Sequence, residues 1–82
     1  MKDFFVNDKL LVWPKKEKNK LVVLNELFLL FEKNKTYTEQ QVNEILKKKF
    51  IDFALLRRAL VDYGYLKRTV DGKIYIINEN KL

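Results

Sequence analysis

The pattern of apolar and polar positions predicts a helix in the first half of the chain. From residue 17 to residue 33, apolar side chains recur with a period of about 3.6 residues, and Pro14 precedes them at a position that suits a helix start. A short apolar run over residues 10–13 stops at the same proline. This run predicts a brief strand before the first helix.

Two further helices are predicted from their end signals. Thr38 followed by Gln41 is a capping-box sequence, and the apolar stripe beyond it predicts a helix that stops near Lys48. Asp52 is suited to cap a third helix. Gly64 stands where that helix would end in a left-handed conformation.

The C-terminal part of the chain has the pattern of a β-hairpin. Two runs rich in β-branched and aromatic residues, 66–70 and 73–77, are joined by Asp71-Gly72, a strong short-range turn signal. A two-residue turn places Arg68 opposite Tyr75, where a cation over a ring would give this arginine a structural role.

The order of these elements predicts the architecture. A short strand, three helices and a two-stranded hairpin form the element order of a winged helix, and the short connection between the second and third helices suits a helix-turn-helix pair. We therefore predict an α+β fold consisting of one winged-helix domain over residues 1–82. Its ordered core is expected to span about residues 8–77, with loose ends on either side.

The composition restricts the chemistry available to the chain. Its 82 residues include no Cys, His or Ser, which removes thiol, serine and histidine catalysis and every Cys/His metal site. The carboxylates have no spacing that would place two of them in one apolar pocket. We expect neither enzymatic activity nor a cofactor or metal ion.

The apolar stretch over residues 21–31 is interrupted by polar residues and is too short to cross a bilayer. With no recognisable signal peptide, we expect a cytoplasmic protein that makes no membrane contact.

The chain is basic, with 17 Lys and Arg against 11 Asp and Glu and a net charge of +6. This surplus is compatible with a polyanionic partner. Most of the cations are lysines, and an AT-rich coding sequence would produce the same excess without selection for binding. We predict nucleic-acid contacts from two exposed elements: Arg57 and Arg58 on the third helix, and Lys67 and Lys73 beside the hairpin turn. The alternative for the arginine pair is a solvated helix face with a salt bridge from Arg58 to Asp62.

The start of the first helix carries a cluster of positive charge. Four lysines crowd the end where the helix dipole is already positive, at a cost in stability: Lys15, Lys16, Lys18 and Lys20. A phosphate or acidic partner would relieve that cost, so Lys15, Lys16 and Lys18 join the predicted nucleic-acid contacts. The alternative is simple solvation, with Glu17 giving partial relief.

Two apolar residues, Val22 and Leu29, fall in the middle of the polar half of the first helix. One interpretation is that an N-terminal arm carrying Phe4 and Phe5 folds over them. The other is that they form an interface with a second copy of the chain or with a regulator protein. The sequence leaves both open.

The sequence also resembles a known family. The resemblance is carried by residues 18–30, 37–39, 42–46, 56–58, 60–64 and 71–75. Together they look like the bacterial domain-of-unknown-function family numbered two-thousand-and-eighty-seven, over about residues 8–77. Many relatives have a His-Asp pair before the third helix, where this chain has Phe50 and Ile51.

The resemblance implies an association with transcriptional regulators, because members often stand behind a separate helix-turn-helix domain. No biochemical activity defines the family. We therefore expect a DNA-associated role in transcriptional regulation, with double-stranded DNA bound through about four to six phosphates. The alternative is a protein-interaction or homodimerisation module that does not bind nucleic acid.

Overall fold

The computed structural model describes residues 5–7 and 9–81, and within them the predicted α+β fold class is confirmed. The helices are α1 (Glu17–Phe28), α2 (Glu39–Lys47) and α3 (Phe53–Asp62). The strands are β1 (Phe5–Val6), β2 (Lys9–Leu10), β3 (Tyr37–Thr38), β4 (Leu66–Arg68) and β5 (Ile74–Ile77), and a turn of 3-10 helix follows at Glu79–Lys81. Three helices followed by a hairpin give a winged-helix-like architecture. We call the β4–β5 hairpin the wing.

The wing belongs to a three-stranded antiparallel sheet. β5 lies in the middle and pairs with β4 on one side and β3 on the other. Tyr37 is paired with Tyr75, and Thr38 with Ile74. The sequence patterns indicated only the helix cap at Thr38 in this region, and no strand. Because β3 leads directly into α2, this pairing ties the start of α2 to the wing.

The N-terminal arm forms a small hairpin instead of the single strand predicted over residues 10–13. Phe5 pairs with Leu10 in this hairpin, and the Leu10 N–H donates to the carbonyl oxygen of Lys49 at 2.6 Å. Residues 11–13 are irregular. Phe5 and Val6, which were expected to belong to a loose end, therefore form a strand, whereas residues 1–4 and 82 lie outside the described residues.

Helix α1 ends at Phe28, five residues before the predicted end. The next two residues continue as a tightened turn, because the Leu30 and Phe31 N–H groups donate to the carbonyl oxygens three residues earlier. This path buries Phe31, whose ring lies edge-on against Tyr37 with centroids 5.2 Å apart. Ending the helix early thus places an aromatic residue in the core.

The predicted cap of α2 is confirmed. The Thr38 hydroxyl oxygen accepts a hydrogen bond from the Gln41 N–H at 3.1 Å, and the Gln41 side chain accepts one from the Thr38 N–H at 2.9 Å. The helix ends at Lys47, with Lys48 as its C-cap. These reciprocal bonds satisfy two backbone donors that a helix start leaves open.

Both predicted ends of α3 are also confirmed. Asp52 accepts a hydrogen bond from the Leu55 N–H at 3.2 Å. At the other end Gly64 has φ 82°, and the Tyr65 N–H donates to the Leu60 carbonyl oxygen at 2.8 Å. This left-handed ending is the Schellman arrangement, which redirects the chain from α3 into the wing.

A single hydrophobic core joins the three helices to the inner face of the wing. Leu24, Leu46, Leu56 and Leu60 are fully buried and come from all three helices, and Leu66 joins them from β4. Because these side chains fix the inner face of α3, its opposite arc lies at the surface beside the wing.

Candidate nucleic-acid interface

A cleft of about 230 Å³ lies between the outer arc of α3 and the wing. It contains every arginine of the chain: two come from α3 and one from β4. Its lining residues are Arg57, Arg58, Val61, Asp62, Arg68 and Tyr75. We call it the arginine cleft.

Arg57 is held by partners on α2. Its side chain is only 15 % exposed, and its Nη1 donates to Asn43 Oδ1 at 2.5 Å. Its Nη2 lies 3.4 Å from Glu39 Oε1. The Tyr75 hydroxyl lies 3.5 Å from the same carboxylate oxygen. Arg57 therefore bridges α3 to α2, and much of its positive charge is compensated within the fold.

Arg58 is exposed, and the salt bridge to Asp62 suggested by their spacing is not formed. The ion pairs within the described residues are Lys35–Glu32, Lys47–Glu44 and Arg57–Glu39. Arg58 thus has no carboxylate partner in this part of the chain, which leaves its guanidinium available to an external anion.

Arg68 lies on the side of the wing that faces α3. The predicted register is confirmed, since Arg68 is paired with Tyr75. Directly paired residues on antiparallel strands point to the same face of a sheet. The sequence interpretation assigned Arg68 a structural role and left it out of the predicted contacts, yet the structure places it exposed in the arginine cleft.

Lys67 lies on the opposite face of the wing. It is paired with Ile76, and both line a separate cavity of about 390 Å³ with residues 34–36 and 77–80. The structure therefore does not place Lys67 on the surface that carries Arg58. The two-residue alternation of a strand, with Leu66 buried, would have assigned Lys67 and Arg68 to their correct faces.

Lys73 is exposed in the loop at the tip of the wing. The loop spans residues 70–73 and is wider than the predicted two-residue turn, because the last ladder bond runs from the Thr69 N–H to the Ile74 carbonyl oxygen at 3.0 Å. Within the loop, the Gly72 N–H donates to the Thr69 carbonyl oxygen at 2.9 Å. The Asp71 carboxylate accepts hydrogen bonds from the Thr69 hydroxyl at 2.5 Å and the Lys73 N–H at 3.1 Å, and these bonds lower the pKa of Asp71. The tip thus carries a lysine beside a well-anchored carboxylate.

The lysines at the start of α1 are exposed: Lys15, Lys16 and Lys18. Lys16 is the N-cap of α1 and makes no side-chain capping bond. Lys20, one turn further on, has its ammonium 6.0 Å from the centre of the Trp13 ring. Lys20 and Trp13 share a second cleft, of about 320 Å³, with Arg58. The start of α1 therefore adjoins the outer surface of α3 through Lys20.

The apolar pair formed by Val22 on α1 and Leu29 at its C-cap remains open to solvent. Val22 is 43 % exposed and Leu29 is 76 % exposed. Phe5 is half-buried against the core and paired with Leu10 in the N-terminal hairpin. Phe4 lies outside the described residues. The N-terminal arm, as far as it is described, leaves both apolar side chains accessible to a partner.

Within residues 5–7 and 9–81, no cluster of three or more His, Cys, Asp and Glu side chains has the arrangement of a metal site. The same residues include no helix with the length and apolar character needed to span a membrane.

Comparison with known proteins gives one family. Residues 9–77 match the sequence model of a family described as "Uncharacterized protein conserved in bacteria (DUF2087)". No curated protein and no solved structure gives a significant match to the chain.

Proposed function

The chain belongs to the bacterial family DUF2087, and we propose that it binds the phosphate backbone of duplex DNA as part of transcriptional regulation. The observation that carries the proposal is that Arg58 and Arg68 line the same arginine cleft. Both are exposed, they come from two different elements, and neither has a carboxylate partner in the described chain.

Arginine suits this role because its planar guanidinium donates two parallel hydrogen bonds to phosphate oxygens. Lys20 shares a second cleft with Arg58. Lys73 is exposed at the tip of the wing that carries Arg68. A net charge of +6 adds long-range attraction to a polyanion. In this arrangement α3 faces a groove while the wing lies along the backbone.

Base-specific recognition is poorly supported by the same surface. Ala54 and Val61 are the neutral residues on the outer arc of α3, and neither has the side-chain hydrogen bonds that Asn or Gln makes to adenine. We therefore infer that affinity comes mainly from phosphate neutralisation and varies little between DNA sequences.

The two neighbours on β4 provide a matched test. Arg68→Gln and Lys67→Gln remove one charge each, one residue apart, on opposite faces of the wing. Fluorescence anisotropy with a random-sequence duplex at low salt should show about five-fold weaker binding for Arg68→Gln, from the loss of a charge-assisted contact. Lys67→Gln should lose less than about two-fold, because its charge acts only at long range. Equal losses in the two variants would contradict the assignment.

Homodimerisation is the second candidate function, because Val22 on α1 and Leu29, the C-cap of α1, are exposed. Sedimentation at micromolar concentration should then detect a dimer. Replacing both residues with Ser should return the chain to a monomer, because the interface loses its apolar contacts. A strictly monomeric wild-type chain would contradict this candidate and leave the DNA proposal untouched.

A further inference from the structure

Arg57 is placed unusually for a residue that lines an open cleft. Its side chain is mostly buried, and two residues of α2, Asn43 and Glu39, fix its guanidinium. A guanidinium carries five N–H donors, so these two contacts leave further donors available. Arg57 therefore reaches the arginine cleft in a fixed orientation, whereas Arg58 and Arg68 are exposed.

We propose that the arginine cleft binds a single phosphate group through all three arginines, with Arg57 as a pre-oriented ligand held in place by Glu39 and Asn43. The inference rests on the proposed function and deepens it, because it names the group of the DNA that the cleft takes. The same chemistry would accept a free phosphate-containing anion.

The lining of the cleft favours phosphate over a carboxylate. A phosphate group presents several oxygens in a tetrahedral arrangement. Guanidinium groups on different sides of it can therefore each donate hydrogen bonds to it. Arg57 and Arg58 line the cleft from α3, and Arg68 lines it from β4. The lining holds three cations and one carboxylate, Asp62, and Glu39 compensates Arg57 from outside the lining. Three positive charges against these two carboxylates still leave a positive surplus for an anion. The cleft has a volume of about 230 Å³, several times the roughly 30 Å³ that one water molecule occupies, so it has room for a group larger than water.

Glu39 sets the strength of this site. Its carboxylate compensates Arg57 when the cleft is empty, and the Tyr75 hydroxyl contacts the same oxygen. A bound phosphate must therefore share Arg57 with a nearby negative charge, which weakens binding. Glu39→Gln keeps an oxygen acceptor for Arg57 and Tyr75 but removes the charge. The variant should bind phosphate about three-fold more tightly.

The chain has only three arginines, so side-chain NMR can follow each of them separately. We would record the three Nε–H signals during titration with inorganic pyrophosphate and, separately, with a short random-sequence duplex. All three signals should shift with one shared dissociation constant for each ligand. Lys67→Gln, on the other face of the wing, should leave the pyrophosphate constant unchanged within about 1.5-fold.

Two variants separate ligation by Arg57 from a purely structural role. Arg57→Lys keeps the positive charge but loses the planar guanidinium that donates two parallel hydrogen bonds. It should weaken pyrophosphate binding about five-fold, while the backbone NMR spectrum remains that of a folded chain. Glu39→Gln should strengthen binding. If Arg57 only supports the fold, Arg57→Lys leaves the pyrophosphate constant unchanged and Glu39→Gln gives no gain, and that result overturns the proposal.

The two ligands distinguish failure of the site from failure of the proposed function. If pyrophosphate shifts all three arginines but the duplex does not bind, the phosphate site stands and the DNA function is wrong. If the duplex binds without shifting Arg57, the three-arginine site is wrong and the DNA function stands. If neither ligand binds at low salt, both are wrong.

Discussion

Neighbouring residues in this chain have different roles because they face different parts of the fold. Arg57 reaches Glu39 and Asn43 on α2, while Arg58, one residue later, is exposed. The helical period placed both on the outer arc of α3. The helical period does not indicate which of the two arginines has partners. The partners of Arg57 lie on α2, and the residues of α3 alone do not show how α2 packs against it. The strand alternation separates Lys67 from Arg68 in the same way.

The wing tip allows a prediction at the scale of one residue. Two hydrogen bonds lower the pKa of Asp71 from its ordinary 3.8. The larger effect comes from the Thr69 hydroxyl, and the smaller one from the Lys73 N–H. A lowered pKa means that the carboxylate stabilises the folded state above the unfolded pKa of 3.8. That contribution is lost as the pH falls below 3.8 and through the lower folded pKa.

Thr69→Val removes the larger cause and keeps the β-branched shape. In a carboxyl-carbon NMR titration, the Asp71 midpoint should lie below 3.8 in the wild type and move upward in the variant. Identical midpoints in the two chains would show that the Thr69 hydrogen bond does not hold the carboxylate.

At the scale of elements, the parts governed by local chemistry were predictable. The capping box at Thr38 and the left-handed end at Gly64 depend on residues within one or two turns, and both are present in the structure. The missed strand β3 depends on a distant partner, because it pairs with β5, 36 to 38 residues later in the chain. The early end of α1 is accompanied by a turn beyond which Phe31 packs against Tyr37, a side-chain contact that the helical period does not indicate.

The cap of α2 gives the prediction at this scale. Thr38→Ala removes the hydroxyl that accepts the Gln41 N–H and should lower the free energy of unfolding by about 1 kcal/mol. Urea denaturation measures this loss as a lower midpoint with an unchanged slope. Thr36→Ala, in the exposed loop before β3, is the matched control and should change stability by less than about 0.5 kcal/mol. Equal losses of unfolding free energy in the two variants would show that the loss in Thr38→Ala does not come from the cap.

At the scale of the whole molecule, the cations fall into separate groups. Arg58 and Arg68 meet in the arginine cleft, Lys20 reaches the same side from α1, and Lys67 faces away. This distribution depends on how α1, α3 and the wing pack against one another. The sequence therefore predicted which elements carry cations, but not how those elements are placed relative to one another. The result is a partly shared cationic surface centred on α3, with Arg68 in the position that the sequence interpretation had given to Lys67.

The most direct test of this account is the affinity for random-sequence duplex DNA measured over a range of salt concentrations. We predict that log K falls linearly with log salt, with a slope of about −3.6 to −5.4 for about four to six phosphates at about 0.9 each. Replacing Arg58 and Arg68 together with Gln should reduce the magnitude of that slope by about 1.8, because two phosphate contacts are lost. Binding that does not change with salt, or a double variant with the wild-type slope, would contradict the claim that this surface binds the DNA backbone.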